Sequence, residues 1–130
     1  MKVADLMLSD YATVNDKGKY TLVGAGFTEI LTKKVPFRYP LMFIFIRLRI
    51  TSKDIGRNRI RVQIVGEKGA IFKADINIDI AKNHTGVRFI PIPTQISNLR
   101  FPNVGSYDIE VCINGELKEC QSLRIILKNN

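Results

Sequence analysis

Apolar and polar residues alternate along this chain in short runs, and no apolar spacing of helical period extends beyond a turn. Runs rich in β-branched and aromatic residues recur: "YTLVGAGFTEI" (20–30), "LMFIFIRLRI" (41–50), "RIRVQIV" (59–65) and "AIFKADINIDI" (70–80). "VRFIPIPTQI" (87–96), "GSYDIEVCI" (105–113) and "LRIIL" (123–127) continue the series. Turn chemistry separates them, at Asn15 to Gly18, Gly66 to Gly69, Asn83 to Gly86, Pro102 to Gly105 and Asn114-Gly115. The pattern predicts an all-β protein: residues 1–130 as a single antiparallel β-sandwich, Ig-like or jelly-roll-like, of seven or eight strands.

The opening stretch "DYATVNDKGKYTLVGAGF" tests that reading, because its glycines could be taken for a phosphate loop. A phosphate loop needs a strand, then glycines, then a helix whose N-terminus faces the anion. Here Gly24 and Gly26 are surrounded by Leu22, Val23, Ala25 and Phe27 in strand-like alternation, and no helical pattern follows. The stretch reads as two strands and a turn, with the glycines marking a bulge or a close backbone approach.

Two segments, "LSDYATVNDKGKYTLVGAGF" and "LRFPNVGSYDIEVCINGE", together resemble a family of small, mostly bacterial all-β proteins catalogued as a domain of unknown function. The resemblance implies the sandwich and supplies no catalytic residues. Within the second segment, Tyr107 follows a proline–glycine turn and shares one strand face with Ile109, Val111 and Ile113. A tyrosine so placed anchors a core and ties the corner through its hydroxyl.

Composition narrows the chemistry. The chain has 130 residues, 45% of them hydrophobic, with a mean hydropathy near zero and no apolar stretch of membrane-spanning length. Asp5 and Asp10 interrupt the N-terminal apolar run, which is wrong for a signal peptide, so a cytoplasmic location is expected, or a host cytosol if the protein is virus-encoded. Cys112 and Cys120 are then expected as free thiols. The only histidine, His84, sits in a polar turn, so neither histidine-based acid–base chemistry nor a Cys/His metal site is expected. Asp75 and Asp79 stand on one strand face about 13 Å apart, too far to share a calcium ion. A non-catalytic protein without cofactor or metal is the expectation.

Charge is the informative quantity. The formal net charge is +8. Between Lys33 and Arg61 lie Lys33, Lys34, Arg38, Arg47, Arg49, Lys53, Arg57, Arg59 and Arg61, opposed by Asp54 alone; nine minus one equals the net charge of the whole chain. Strand parity puts Ile44, Ile46, Leu48 and Ile50 on one face and Phe43, Phe45, Arg47 and Arg49 on the other. It likewise turns Arg59 and Arg61 away from Ile60, Val62 and Ile64. A hairpin across "TSKDIGRN" would bring four arginines together, a repulsive arrangement that calls for an anion.

A competing account exists for two of them: pairing across "GEKG" sets Asp75 beside Arg61 in a surface charge ladder. Arg47 and Arg49 have no obvious acid opposite. In the link "TKKVPFRYPL" (32–41), Lys33, Lys34 and Arg38 with Phe37 and Tyr39 are materials for phosphate contact and base stacking, unless the two rings plug the end of the sandwich. Phe43 and Phe45 on the arginine face suggest a subunit interface, hence a homo-oligomer.

The expected function is binding of an anionic ligand, a nucleotide or oligonucleotide that the protein sequesters, by Lys33, Lys34, Phe37, Arg38, Tyr39, Arg47, Arg49, Arg57, Arg59 and Arg61. The alternative is a protein–protein adaptor whose basic face meets an acidic partner. Membrane insertion is not expected.

Overall fold

Every alternating run folds as a strand. The computed structural model describes residues 1–128 and contains ten strands with no α-helix among them. They are β1 (Lys2–Ser9), β2 (Tyr11–Val14), β3 (Tyr20–Val23), β4 (Glu29–Thr32), β5 (Phe37–Ile50), β6 (Gly56–Gly66), β7 (Gly69–Ile80), β8 (Arg88–Phe101), β9 (Gly105–Ile113) and β10 (Glu116–Leu127). The count exceeds the expected seven or eight for two reasons. "VADLMLS" is a strand although Ala4 bulges out of its register with β5. The run 20–30 is two strands, because Gly24 and Gly26 adopt positive φ and break it.

Three sheets result: β1-β5-β8, β4-β10-β9-β6-β7 and the hairpin β2-β3. Pairing is antiparallel except between β4 and β10, which run parallel, so the larger sheet is mixed rather than purely antiparallel. The two larger sheets share one core. Ile44, Ile46 and Leu48 of β5 meet Ile60, Val62 and Ile64 of β6 and Ile109 and Val111 of β9, all shielded from solvent.

The hairpin has a separate task. Tyr11 stands edge-on to Phe43 at 5.5 Å between ring centroids, and Tyr20 lies against Phe45 at 4.7 Å. Phe43 and Phe45, expected to be open to a second subunit, are therefore buried beneath the chain's own β2-β3 hairpin. Those two rings therefore offer no surface to a second subunit.

The motifs of the opening stretch find structural explanations. A Cβ on Gly24 would run into the Asp10 carboxylate, and the φ of 60° there is one that glycine adopts readily. Gly26 donates its backbone N–H to the Leu8 carbonyl (2.8 Å), and Phe27 packs edge-on to Tyr39 at 6.2 Å. The stretch is a clasp between hairpin and sheet, not a nucleotide loop. At the opposite end the Tyr107 hydroxyl donates to the Asn103 carbonyl (2.8 Å) and accepts from the Asn103 N–H (3.2 Å), the tied corner expected of a sandwich.

One local feature was not readable from alternation. Along β5 the inward set is Met42, Ile44, Ile46, Leu48 and Ile50, yet below Leu41 the half-buried residues are Phe37 and Tyr39. The partner strand β8 changes phase at the same level, from Ile96 to Leu99 and Phe101, across Asn98 with its φ of 53°. Pro40, which has no N–H to give, lies between the paired residues Tyr39↔Leu99 and Leu41↔Ser97. Both strands thus exchange inside for outside together.

Candidate functional site

The segment Lys33–Arg61 does not form one basic face. The expected hairpin between the two arginine strands is absent because β5 is paired on both edges, by β1 and β8, and β6 on both edges, by β9 and β7. Between them the chain passes from one sheet to the other through a single turn of 3-10 helix, Ser52–Asp54. Asp54 caps that turn. Burial alone would raise its carboxyl, but hydrogen bonds from the Met1 ammonium and from Thr51 outweigh burial and hold it below the usual carboxylate value. The outward side chains of β5 and β6 consequently lie on opposite sides of the core.

On the outer face of the five-stranded sheet, Arg61 faces Asp75 in register and donates to it from Nε at 2.9 Å, while Arg59 reaches the same carboxylate at 3.4 Å. Arg57 stands opposite Asp79. Hydrogen bonds from Arg61 hold Asp75 below the ordinary carboxylate value, with Arg59 adding to the effect. The neighbouring strand β9 contributes Asp108 and Glu110, the latter accepting from Gln63 at 2.6 Å. Across β7, β6 and β9 the outward Lys73, Arg57, Arg59 and Arg61 stand against Asp75, Asp79, Asp108 and Glu110, four cations against four carboxylates. The charge ladder is the account that holds here.

Lys33, Lys34 and Arg38 lie far along the fold from Arg47 and Arg49. The two lysines are exposed in the bend before β5, and Arg38, opposite Arg100, donates to the Asn98 carbonyl at 2.9 Å. The expected loop around them is in part strand, since β5 begins at Phe37. Phe37 stacks on Phe101 at 5.3 Å, and Tyr39 packs against Phe27 and donates to Asp10 at 3.3 Å. Burial, then the Asp10 charge, raises the Tyr39 hydroxyl above its usual value. These rings plug the end of the core and are not presented for stacking.

The remaining cations form a different grouping. On the outer face of the three-stranded sheet, below the β2-β3 hairpin, Lys2 is registered opposite Arg49, and Arg49 opposite Phe89. At the next pair on this face, Asp5 stands opposite Arg47 and accepts from its Nε at 2.5 Å, correcting the expectation that Arg47 lacks an acid. The Arg47 guanidinium also lies over the Phe89 ring, 4.7 Å from its centroid. Phe89 is 44% exposed and Tyr20, at the hairpin's border, 41%. Three cations therefore meet one carboxylate on an open face that displays aromatic surface. Among the described residues Arg49 and Lys2 have no acidic partner.

Lys2, Asp5 and Phe89 were not anticipated. The signal for Phe89 was present in "VRFIPIP", a cation beside an aromatic of the kind singled out in 32–41. Lys2 and Asp5 required the pairing of β1 with β5, to which local sequence gives no access.

Comparison with known proteins places the chain. A family model described as "Family of unknown function (DUF6941)" matches residues 4–126, and the chain belongs to that family. No curated protein matches it. Among solved structures, the alkylpurine DNA glycosylase AlkC of Pseudomonas fluorescens, bound to DNA containing an abasic site analog, is similar in fold. The TM-score is 0.51 at 13% identity, over 96% of this chain and 30% of that one. The chain thus spans less than a third of that enzyme's length, and the likeness shows a shared fold.

Proposed function

We propose that this protein is a non-catalytic binder of single-stranded nucleic acid, and that its contact surface is the outer face of β1-β5-β8 around Lys2, Arg47, Arg49, Phe89 and Tyr20. The row Lys2–Arg49–Phe89 carries the reading. Like charges directly opposite one another on adjacent strands repel, and no acid among the described residues pairs with them; a phosphate would. The ring next in the row is 44% exposed beside the Arg47 guanidinium and offers surface to a base, and stacking of this kind tolerates any sequence. Because the surface is an open sheet face, an extended strand suits it better than a free nucleotide, which gains most from enclosure. The similarly folded glycosylase is bound to DNA, which is compatible with this reading and adds no residue to it.

Fluorescence anisotropy with a labelled single-stranded oligonucleotide tests the proposal. Phe89→Ala should weaken binding by about 1–3 kcal/mol while leaving the protein folded. A duplex of the same length should bind more weakly, because its bases are not free to stack. Unchanged affinity in Phe89→Ala together with equal duplex binding would remove the stacking role. Failure of any nucleic acid to bind would leave the acidic-partner reading of the same cations.

A further inference from the structure

Edge strands expose unpaired backbone groups, and folds usually blunt them. Three of the four edges of the two larger sheets are blunted here. β4 has four residues, β1 is bulged at Ala4, and β8 carries Pro91 and Pro93. β7 is different. It runs for 12 residues without proline, and past the irregularity at Ile71 its stretch Phe72–Ile80 pairs regularly with β6 on one side only. Its inward Phe72, Ala74, Ile76 and Ile78 are half-buried, whereas Ile60, Val62 and Ile64 on the adjoining strand are fully buried. Apolar surface is left at this edge.

The outward row of β7 reads Lys73, Asp75, Asn77, Asp79. Those charges would repel most strands brought alongside, but in one register they complement a second copy of themselves. We propose that β7 pairs antiparallel with β7 of a second copy, centred on Ile76, to make a dimer with a continuous sheet. Centred there, Lys73 stands opposite the partner's Asp79 and Asp75 opposite the partner's Asn77, each contact occurring twice by symmetry. On the inner face Phe72 meets the partner's Ile80, Ala74 the partner's Ile78, and Ile76 its own counterpart, extending the core across the junction.

Neighbouring registers are worse. A slip of two residues opposes Asp75 either to itself or to Asp79, and a slip of one turns the apolar row to the wrong face. Charge therefore selects the register and rejects other partners. The pairing leaves the outer face of the three-stranded sheet free, so it stands or falls apart from the nucleic-acid reading.

Light scattering across a concentration series up to the solubility limit is the test, with circular dichroism confirming the fold of each variant. The intact chain should approach twice the 14.7 kDa monomer mass. Lys73→Glu should weaken the dimer by about tenfold or more, because both symmetry-related contacts become repulsive. Adding Asp79→Lys to it should restore the dimer. A chain that stays monomeric throughout, a dimer indifferent to Lys73→Glu, or a folded double variant that fails to recover would each overturn the proposal.

Discussion

The two outer faces of this protein start from similar sequence and end with different electrostatics. β5 and β6 are consecutive strands, each carrying arginines at alternate positions. On the five-stranded sheet Arg57, Arg59 and Arg61 enter a ladder in which each has a carboxylate on the adjoining strand β7. On the three-stranded sheet Asp5 is the single acid among Lys2, Arg47 and Arg49, and Phe89 occupies the place where the ladder would supply another. Net charge along a segment is therefore a poor guide to where a field is felt. Which strands lie alongside decides it, and one 3-10 turn between β5 and β6 is enough to separate the two arginine pairs across the core.

The largest effect expected separates rings that serve the core from a ring that serves the surface. Phe45, 1% exposed beneath Tyr20, and Phe89, 44% exposed beneath Arg47, lie on the same outer face. Phe45→Ala should cost about 3–5 kcal/mol in denaturant unfolding, as large-to-small changes in a filled core do. Phe89→Ala should fall within the small range of surface substitutions, about 0.5 kcal/mol. Similar losses for the two would mean that Phe89 belongs to the scaffold.

Next is the pair that divides the candidate surface internally. Asp5→Asn releases Arg47 from its partner, so polyanion binding should strengthen while stability changes by about 1 kcal/mol or less. Weaker binding would show that Asp5 is needed to aim Arg47.

Asp75 allows the two faces to be made more alike. Asp75→Asn leaves Arg59 and Arg61 without their carboxylate, and the five-stranded face should gain measurable affinity for polyanions. The folded-state carboxyl of Asp75 lies below its unfolded value, so its stabilisation is complete above the ordinary carboxylate range and is lost as pH falls through the lowered value. The difference in melting temperature between wild type and Asp75→Asn should hold steady above about pH 5 and close below it. A difference that widens in acid would contradict the ladder.

The smallest effect concerns Cys120. Burial, then the charges of Asp108, Glu110 and Glu119, raises its thiol above the usual value. Alkylation near neutral pH should be slow for a residue so exposed, and Glu110→Gln should quicken it. No change in rate would mean that the acids of β9 do not reach it.

What could be read from sequence follows the distance between partners. The Arg61–Asp75 pairing is legible because a tight turn makes β6 and β7 neighbours and alternation turns both residues outward, although an irregularity at Ile71 sets the exact register. The Tyr107 corner is legible because its partner, Asn103, is four residues away. Arg47–Asp5 spans 42 positions and passes through a bulged strand, so alternation alone cannot set its register. The burial of Phe43 and Phe45 depends on a hairpin that folds over a sheet it does not pair with. The phase change at Pro40 and Asn98 depends on two distant residues meeting. Residue types pointed to cations and aromatics; which of them share a surface was set by long-range pairing.

A head-to-head salt titration tests the division most directly. Lys2→Gln/Arg49→Gln and Arg59→Gln/Arg61→Gln each remove two positive charges, and each would be titrated with a single-stranded oligonucleotide over a range of salt. The account predicts that the first variant loses affinity and that its log–log salt slope flattens by about 0.7 per phosphate contact removed, while the second stays close to wild type. Equal losses in the two variants, or a loss confined to Arg59→Gln/Arg61→Gln, would contradict it.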